Sequence, residues 1–162
     1  MLVALIALVA VGAFVAAPGV KPAETPVSFS SGWCQDEGVS VITEFKGKST
    51  IRCATDFAGT SWNALVAAGF EPRGTSAHPL GFVCQLSGLP KEQDCKDTPR
   101  YDEGSWAFFV ARPGKPGWQY ALTGAATHFT ECGSAEAWVF VPAGESPQTA
   151  KPATSPKPRV CK

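Results

Sequence analysis

Six cysteines are the residues of this chain with the most definite chemistry. They are widely separated along the sequence, at Cys34, Cys53, Cys84, Cys95, Cys132 and Cys161. A structural zinc site takes four soft ligands in short-spaced pairs, whereas this chain has no C-x-x-C pair and only two histidines. An even number of separated cysteines in 162 residues instead indicates three disulfides formed in an oxidising compartment. Full pairing would leave no thiolate for nucleophilic catalysis.

The cysteine spacing favours one bridge and leaves the others open. Cys84 and Cys95 bracket a polar loop with turn residues, so we predict that these two cysteines pair. The remaining four cysteines allow three pairings, which the sequence alone does not distinguish. We favour the pairing that would fasten the two ends of the chain together, Cys53 with Cys132 and Cys34 with Cys161.

Other candidate catalytic groups lie in loops. His78 is in a Gly/Pro/Ser-rich loop and His128 in a Thr-rich loop, and the chain lacks the G-x-S-x-G nucleophile motif. Acidic residues could serve glycoside hydrolysis or calcium binding, but the EF-hand spacing is absent. They are Asp36, Glu37, Glu92, Asp94, Asp97, Asp102 and Glu103. Surface histidines and solvated loop charges are the simpler interpretation, so we expect no enzyme, cofactor or metal site, with a hydrolase as the third hypothesis.

Aromatic side chains concentrate on three late segments with strand-like alternation. The candidate ligand-binding residues among them are Trp106, Phe108, Trp118, Tyr120 and Trp138. One face of the predicted sheet must form the core beneath a helix, and a single short helix leaves the other face open. Aromatic residues on an open face can stack on a flat ligand or anchor a protein partner.

The elements that must position these residues follow from local patterns. Period-two alternation over 39–45 and 49–54, around Gly47, predicts a β-hairpin. Residues 61–68 predict a helix that the Thr60 hydroxyl caps and that ends at Gly69 in a left-handed conformation, with Phe70 packing back. Strands are predicted at 81–86, 106–111, 118–122 and 135–141. The fold class is α+β: a mixed or antiparallel sheet of about six strands, one short helix and disulfide bridges.

The ends of the chain differ from this core in composition. Residues 1–17 read as a signal peptide, or alternatively as an uncleaved membrane anchor, because residues 2–20 are uncharged and apolar. Residues 18–32 form a leader, residues 33–141 the domain, and residues 142–162 a Pro/Lys/Ala-rich tail pinned by Cys161. With 14 basic and 14 acidic residues, the chain lacks the basic excess that nucleic-acid binding needs.

An ordered series of short motifs resembles a known family. It includes GVSVITEF at 38–45, ALVAAGF at 64–70, GFVCQLSGLP at 81–90, WAFF at 106–109, GWQY at 117–120 and EAWVF at 136–140. The series is similar to secreted domains of unknown function, common in Actinobacteria, that are related to the C-terminal domain of transcobalamin and intrinsic factor. The resemblance covers residues 38–141 and implies a β-grasp-like fold. Because this domain covers one face of cobalamin in the vitamin-binding relatives, the resemblance also implies cobalamin as a ligand of this chain.

Together these observations predict a non-enzymatic binding or interaction module, secreted or at the cell surface. We expect a monomer whose partner is a small flat molecule such as a corrinoid, or an extracellular protein. The membrane would be contacted only through an uncleaved leader. The alternative is a small secreted inhibitor or structural envelope protein, made rigid by its disulfides.

Overall fold

The structure is a computed structural model that describes residues 25–56 and 59–161. The predicted signal peptide or anchor at 1–17, and the first part of the leader, lie outside the described residues. Within the described ranges no helix has the length and apolar character needed to cross a bilayer.

Eight strands and one helix make up the described structure. In chain order they are β1 (Phe29–Ser31), β2 (Val39–Phe45), β3 (Lys48–Ala54), α1 (Ser61–Ala67), β4 (Pro72–Gly74), β5 (Val83–Leu86), β6 (Ser105–Ala111), β7 (Gln119–Tyr120) and β8 (Ala135–Val141). Six strands form one sheet in the order β1-β3-β2-β8-β6-β7, and β4 and β5 form a separate two-stranded sheet. β2 and β8 are parallel at the centre, and the other neighbours in the large sheet are antiparallel. The predicted α+β class with a six-stranded mixed sheet is confirmed.

Two details of the strand prediction were wrong. The sixth strand of the large sheet is β1, in the leader, whereas the predicted strand at 81–86 lies in the small sheet as β5. β1 and β4 have three residues each, too few for an alternation pattern to be recognised. Their positions depend on pairing with β3 and β5, which is a tertiary effect.

The helix ends as predicted but begins differently. Gly69 has φ +68°. The Phe70 N–H donates to the Leu65 carbonyl at 2.9 Å, and the Gly69 N–H donates to the Val66 carbonyl at 2.8 Å. These two hydrogen bonds form a Schellman motif. At the other end Thr60 has extended backbone geometry, but its hydroxyl makes no cap hydrogen bond, so the predicted hydroxyl cap was wrong. Backbone carbonyls of the loop at 125–128 replace it, because they accept the first two helical N–H groups at 2.9 and 3.0 Å.

The large sheet has two buried faces. One packs against α1 and β5 through Val41, Leu65, Phe108 and Trp138, among others. The opposite face carries Ile42 and a second set of small and apolar residues, Ala107, Phe109, Ala111, Ala135, Ala137 and Val141. The C-terminal segment after β8 covers part of this second face, and Ala150 packs there.

One of the three disulfides pairs as predicted, and the other two pair differently from the favoured scheme. Cys84–Cys95 is present as predicted. The other bridges are Cys34–Cys53 and Cys132–Cys161, so the preferred pairing of the two ends was wrong. The β2–β3 hairpin sets Ser40 opposite Cys53, and the Ser40 hydroxyl accepts a hydrogen bond from the Cys34 N–H at 3.0 Å, which brings Cys34 over Cys53. Each end of the domain is therefore fastened to the sheet separately.

Candidate functional site

The five aromatic residues predicted to bind a ligand divide between the two faces of the sheet. Trp106, Phe108 and Trp138 lie in the core beneath α1 and are 7%, 6% and 3% exposed. Phe108 and Trp138 stack, with ring centroids 4.3 Å apart and an interplanar angle of 6°. Trp118 and Tyr120 are half-buried on the opposite face. The described residues therefore form no single pocket that all five side chains line.

The second face is not open as expected, because the tail covers part of it. The Trp118 indole Nε1–H donates a hydrogen bond of 2.7 Å to the carbonyl of Thr154. Tyr120 packs edge-on against Phe109 of the buried set, at 5.5 Å between centroids. The sequence suggested that Cys161 pins the tail, but the course of the tail over the sheet depends on contacts between residues far apart in the chain.

An open cleft lies at the end of the sheet where β2 begins and β3 ends. Its volume is about 1380 Å³, and its described lining includes residues from 35–39, Cys53, Thr55, Asp56, Thr130 and Cys132. Arg159 and Val160, at the end of the tail, form another part of the wall. Two of the three disulfides border the cleft, through Cys53 and Cys132. None of the five predicted aromatic residues is in the described lining.

The walls of the cleft are held by backbone contacts as well as by the bridges. The Gly133 N–H donates to the Gly38 carbonyl, and the Arg159 N–H donates to the Gly133 carbonyl, both at 2.7 Å. Gly133 has φ +78°, and a Cβ added there would lie 1.8 Å from the Arg159 carbonyl oxygen. Glycine is therefore required at residue 133 for the tail to approach the turn before β8.

The charges of the cleft are predominantly acidic. The described lining contains three exposed carboxylates, those of Asp36, Glu37 and Asp56. Arg159 contributes a guanidinium group to the same lining. The Arg159 Nη1 donates to the Gln35 carbonyl at 3.2 Å. The described residues contain no group of three or more side chains suited to hold a metal ion. The cleft therefore presents a mixed polar and apolar surface with an excess of negative charge in its described lining.

A buried acid–hydroxyl pair, which was not predicted from the sequence, lies inside the domain. Glu136 on β8 is fully buried, and its Oε1 accepts a 2.9 Å hydrogen bond from the Ser61 hydroxyl at the start of α1. Its Oε2 has no partner among the described residues. Burial raises the pKa of Glu136 to about 8, and the Ser61 hydrogen bond opposes that shift. The sequence does hold a signal, because one carboxylate interrupts an otherwise apolar strand.

The histidines do not complete a catalytic arrangement with this pair. The ring of His128 packs edge-on against Phe108 at 5.4 Å, and its Nδ1 lies 3.4 Å from the Thr123 hydroxyl. Burial, followed by the nearby Arg112 charge, lowers the pKa of His128. Ser61 interacts with the backbone carbonyl of His128 rather than with its imidazole. His78 is in an exposed loop, so the described residues contain no hydrogen-bonded serine–histidine–carboxylate chain.

Comparisons of this chain with protein-family models, with curated proteins and with solved structures find no significant match. The resemblance to the transcobalamin-related family therefore stays a prediction. The function has to be argued from the geometry of the molecule itself.

Proposed function

We propose that this chain is an exported, non-enzymatic binding module that holds a segment of an extracellular protein in the cleft at the start of β2. The observation that carries the proposal is the cleft itself, with its volume of about 1380 Å³. Small-molecule pockets usually enclose about 300–1,000 Å³ and are mostly apolar. A larger, open cleft of mixed polarity with exposed carboxylates fits a basic protein segment better than a flat corrinoid.

Disulfide bridges on two sides of the cleft support binding with little rearrangement. Cys34–Cys53 fixes the loop before β2, and Cys132–Cys161 fixes the end of the tail. A surface held in its binding conformation before contact loses less conformational entropy when the partner arrives. The loops of the cleft therefore have the rigidity that a recognition surface needs.

Export and a β-grasp-like fold are parts of the same proposal. Three disulfides in a small domain are typical of oxidising compartments, and the apolar residues 2–20 resemble a secretory signal. The hairpin β2–β3, the helix, and a last strand β8 parallel to β2 at the centre of the sheet support the β-grasp-like description.

The excess of carboxylates defines the first probes. Isothermal titration calorimetry would compare hexalysine, hexaglutamate and cyanocobalamin as ligands of the oxidised chain. We expect saturable binding of hexalysine, with shifts of the Gly38 and Gly59 amide resonances in NMR spectra. Substitution of both Asp36→Asn and Glu37→Gln should weaken that binding at least fivefold, because two of the carboxylates in the lining are removed.

The chain offers a matched control for charge. Asp102 and Glu103 are a second adjacent acidic pair, exposed and outside the described lining of the cleft. Asp102→Asn together with Glu103→Gln should leave hexalysine binding unchanged. Equal loss in both double variants would show non-specific attraction and contradict the proposal. Saturable binding of cyanocobalamin alone would instead favour the small-ligand version of the binding module.

A further inference from the structure

The C-terminal segment, residues 150–161, crosses the face of the large sheet opposite α1 without forming a helix or strand, and it bends at Ala153 and Thr154. Exposure alternates along it: Pro152, Thr154, Pro156 and Pro158 are half-buried, and the residues between them are exposed. No strand pairing connects this segment to the sheet in the described structure. One side of the segment therefore contacts the sheet without a backbone hydrogen-bond ladder.

Side chains of the sheet bind the backbone of this segment instead. Glu44 on β2 is only 7% exposed, and its carboxylate accepts hydrogen bonds from two consecutive N–H groups, Ala153 at 2.8 Å and Thr154 at 3.1 Å. The Trp118 indole donates to the Thr154 carbonyl. A buried carboxylate needs such partners, because an unpaired charge in this position carries a large desolvation penalty.

The sheet face forms a shallow groove around these contacts. Alanines at 107, 111, 135 and 137 are part of the buried set that forms its floor, while Trp33 and Ile51 on one side and Trp118 and Tyr120 on the other are larger and half-buried. The ammonium group of Lys157 lies 5.7 Å from the centroid of the Trp33 ring, within range of a cation–π interaction. The floor also contains Ile42, Phe109 and Val141, so the tail lies on an apolar surface that aromatic side chains border on both sides.

These features match the way in which proline-rich peptides are recognised. Such peptides dock in aromatic-lined grooves with little loss of chain entropy, and side chains rather than strand pairing supply the polar contacts. We propose that this face is a binding site for proline-rich, basic peptides, and that the chain's own tail is its tethered occupant. The proposal concerns the sheet face rather than the cleft, although Arg159 and Val160 of the same segment form part of the cleft wall, and it does not rest on the proposed function.

The tether explains why the groove is occupied in the oxidised chain. Cys132–Cys161 closes the tail back on the domain, so the segment is held near the groove at a high effective concentration. A peptide of the same chemistry supplied by another molecule has to compete with it. Loss of the bridge alone leaves the segment attached through residues 142–149, so the chain must also be cut there before the groove becomes available to such a peptide.

The test starts from a folded full-length chain. Cys132→Ser and Cys161→Ser remove the tether, and a protease recognition sequence inserted between Gln148 and Thr149, both exposed, allows the tail to be cut after folding. Dialysis removes the cut tail. A fluorescein-labelled peptide of residues 149–160 is then titrated and followed by anisotropy. We expect one-to-one saturable binding with a Kd in the micromolar range.

Variants of protein and peptide identify the contacts. Glu44→Gln should weaken binding at least tenfold, whereas the control Glu103→Gln should not change it. A peptide with Ala153→Pro should bind at least tenfold more weakly, since proline has no N–H for Glu44. A scrambled peptide of the same composition should not bind. Absence of saturable binding by the labelled peptide, or equal binding by the scrambled one, overturns the proposal.

A second measurement covers the case in which the cut protein unfolds once its tail is removed. In the oxidised, uncut chain, Glu44→Gln should raise the hydrogen-exchange rates of the Ala153 and Thr154 amides at least tenfold, while Val41 in the core stays protected. Unchanged exchange at both amides shows that Glu44 does not hold the segment, and this result also overturns the proposal.

Discussion

The buried Glu136 side chain makes the stability of this protein depend on pH in an unusual direction. The folded chain keeps the Glu136 proton up to a pKa of about 8, and the reference pKa for the unfolded chain is 4.5. Between these two values the folded state binds more protons than the unfolded state, so the free energy of unfolding falls as pH rises. Each pH unit between the two pKa values lowers the free energy of unfolding by about 1.36 kcal/mol. The total loss is about 5 kcal/mol, of which about 3 kcal/mol is lost by pH 7.

Glu136→Gln tests this linkage directly. Glutamine has nearly the same shape and keeps an acceptor for the Ser61 hydroxyl, but it does not titrate. The variant and the wild type should have similar stability near pH 4.5, and the variant should exceed the wild type by about 3 kcal/mol at pH 7. Such a gain is a large fraction of the free energy of unfolding of a typical domain, which is about 5–15 kcal/mol.

Urea unfolding with intact disulfides, followed by tryptophan fluorescence from pH 4.5 to 8.5, measures the effect. His128 contributes with the opposite sign, since its lowered pKa makes stability rise with pH, and that contribution ends above its reference pKa of 6.5. The interval from pH 6.5 to 8 therefore reports on Glu136. Ser61→Ala removes the hydrogen bond that opposes the pKa shift, so its stability should continue to fall to higher pH. Equal slopes for the wild type and Glu136→Gln in this interval would refute the reasoning.

Two further substitutions test how the ends of the domain are held. The Arg52 guanidinium lies 4.6 and 4.5 Å from the centroids of two phenylalanine rings and donates to two carbonyls at the end of α1, at 2.9 Å each. Arg52→Lys should therefore lower the free energy of unfolding by about 2 kcal/mol in urea, and Arg100→Lys, at an exposed position, should change it little. Gly133→Ala should displace the tail and accelerate hydrogen exchange across residues 150–160, as measured by mass spectrometry. Gly47→Ala, with a similar φ of +74° but no atom within 4 Å of the added Cβ, should leave that exchange unchanged.

The parts of the fold that could be predicted from sequence are those with strong local signals. Alternation around Gly47 defined the β2–β3 hairpin, and Gly69 gave the end of α1, because each pattern acts within a few residues. The Cys84–Cys95 bridge also closes a short loop. The other two bridges depend on which strands lie side by side, and the local sequence does not carry that information.

The candidate site was harder to predict because burial is a property of the whole fold. Alternation separated the faces of each strand, but it did not show that the tail returns over the second face and covers Trp118. No sequence pattern singled out Glu44 or Glu136, yet each is less than a tenth exposed. Glu44 has its partners in residues more than 100 positions away, and Glu136 reaches a serine 75 positions away.

The Cys132–Cys161 bridge also determines how the domain would carry a mechanical load. A force applied at the C-terminus passes through the bridge to Cys132 and enters β8 at its first residue, beside the start of the parallel strand β2. A force from the N-terminus reaches the same end of the sheet through Cys34 and Cys53. The two central strands are then pulled apart one hydrogen bond at a time. Without the bridge the load enters β8 at Val141, at its far end, and shears all of the hydrogen bonds between β2 and β8 together, which is the stronger geometry.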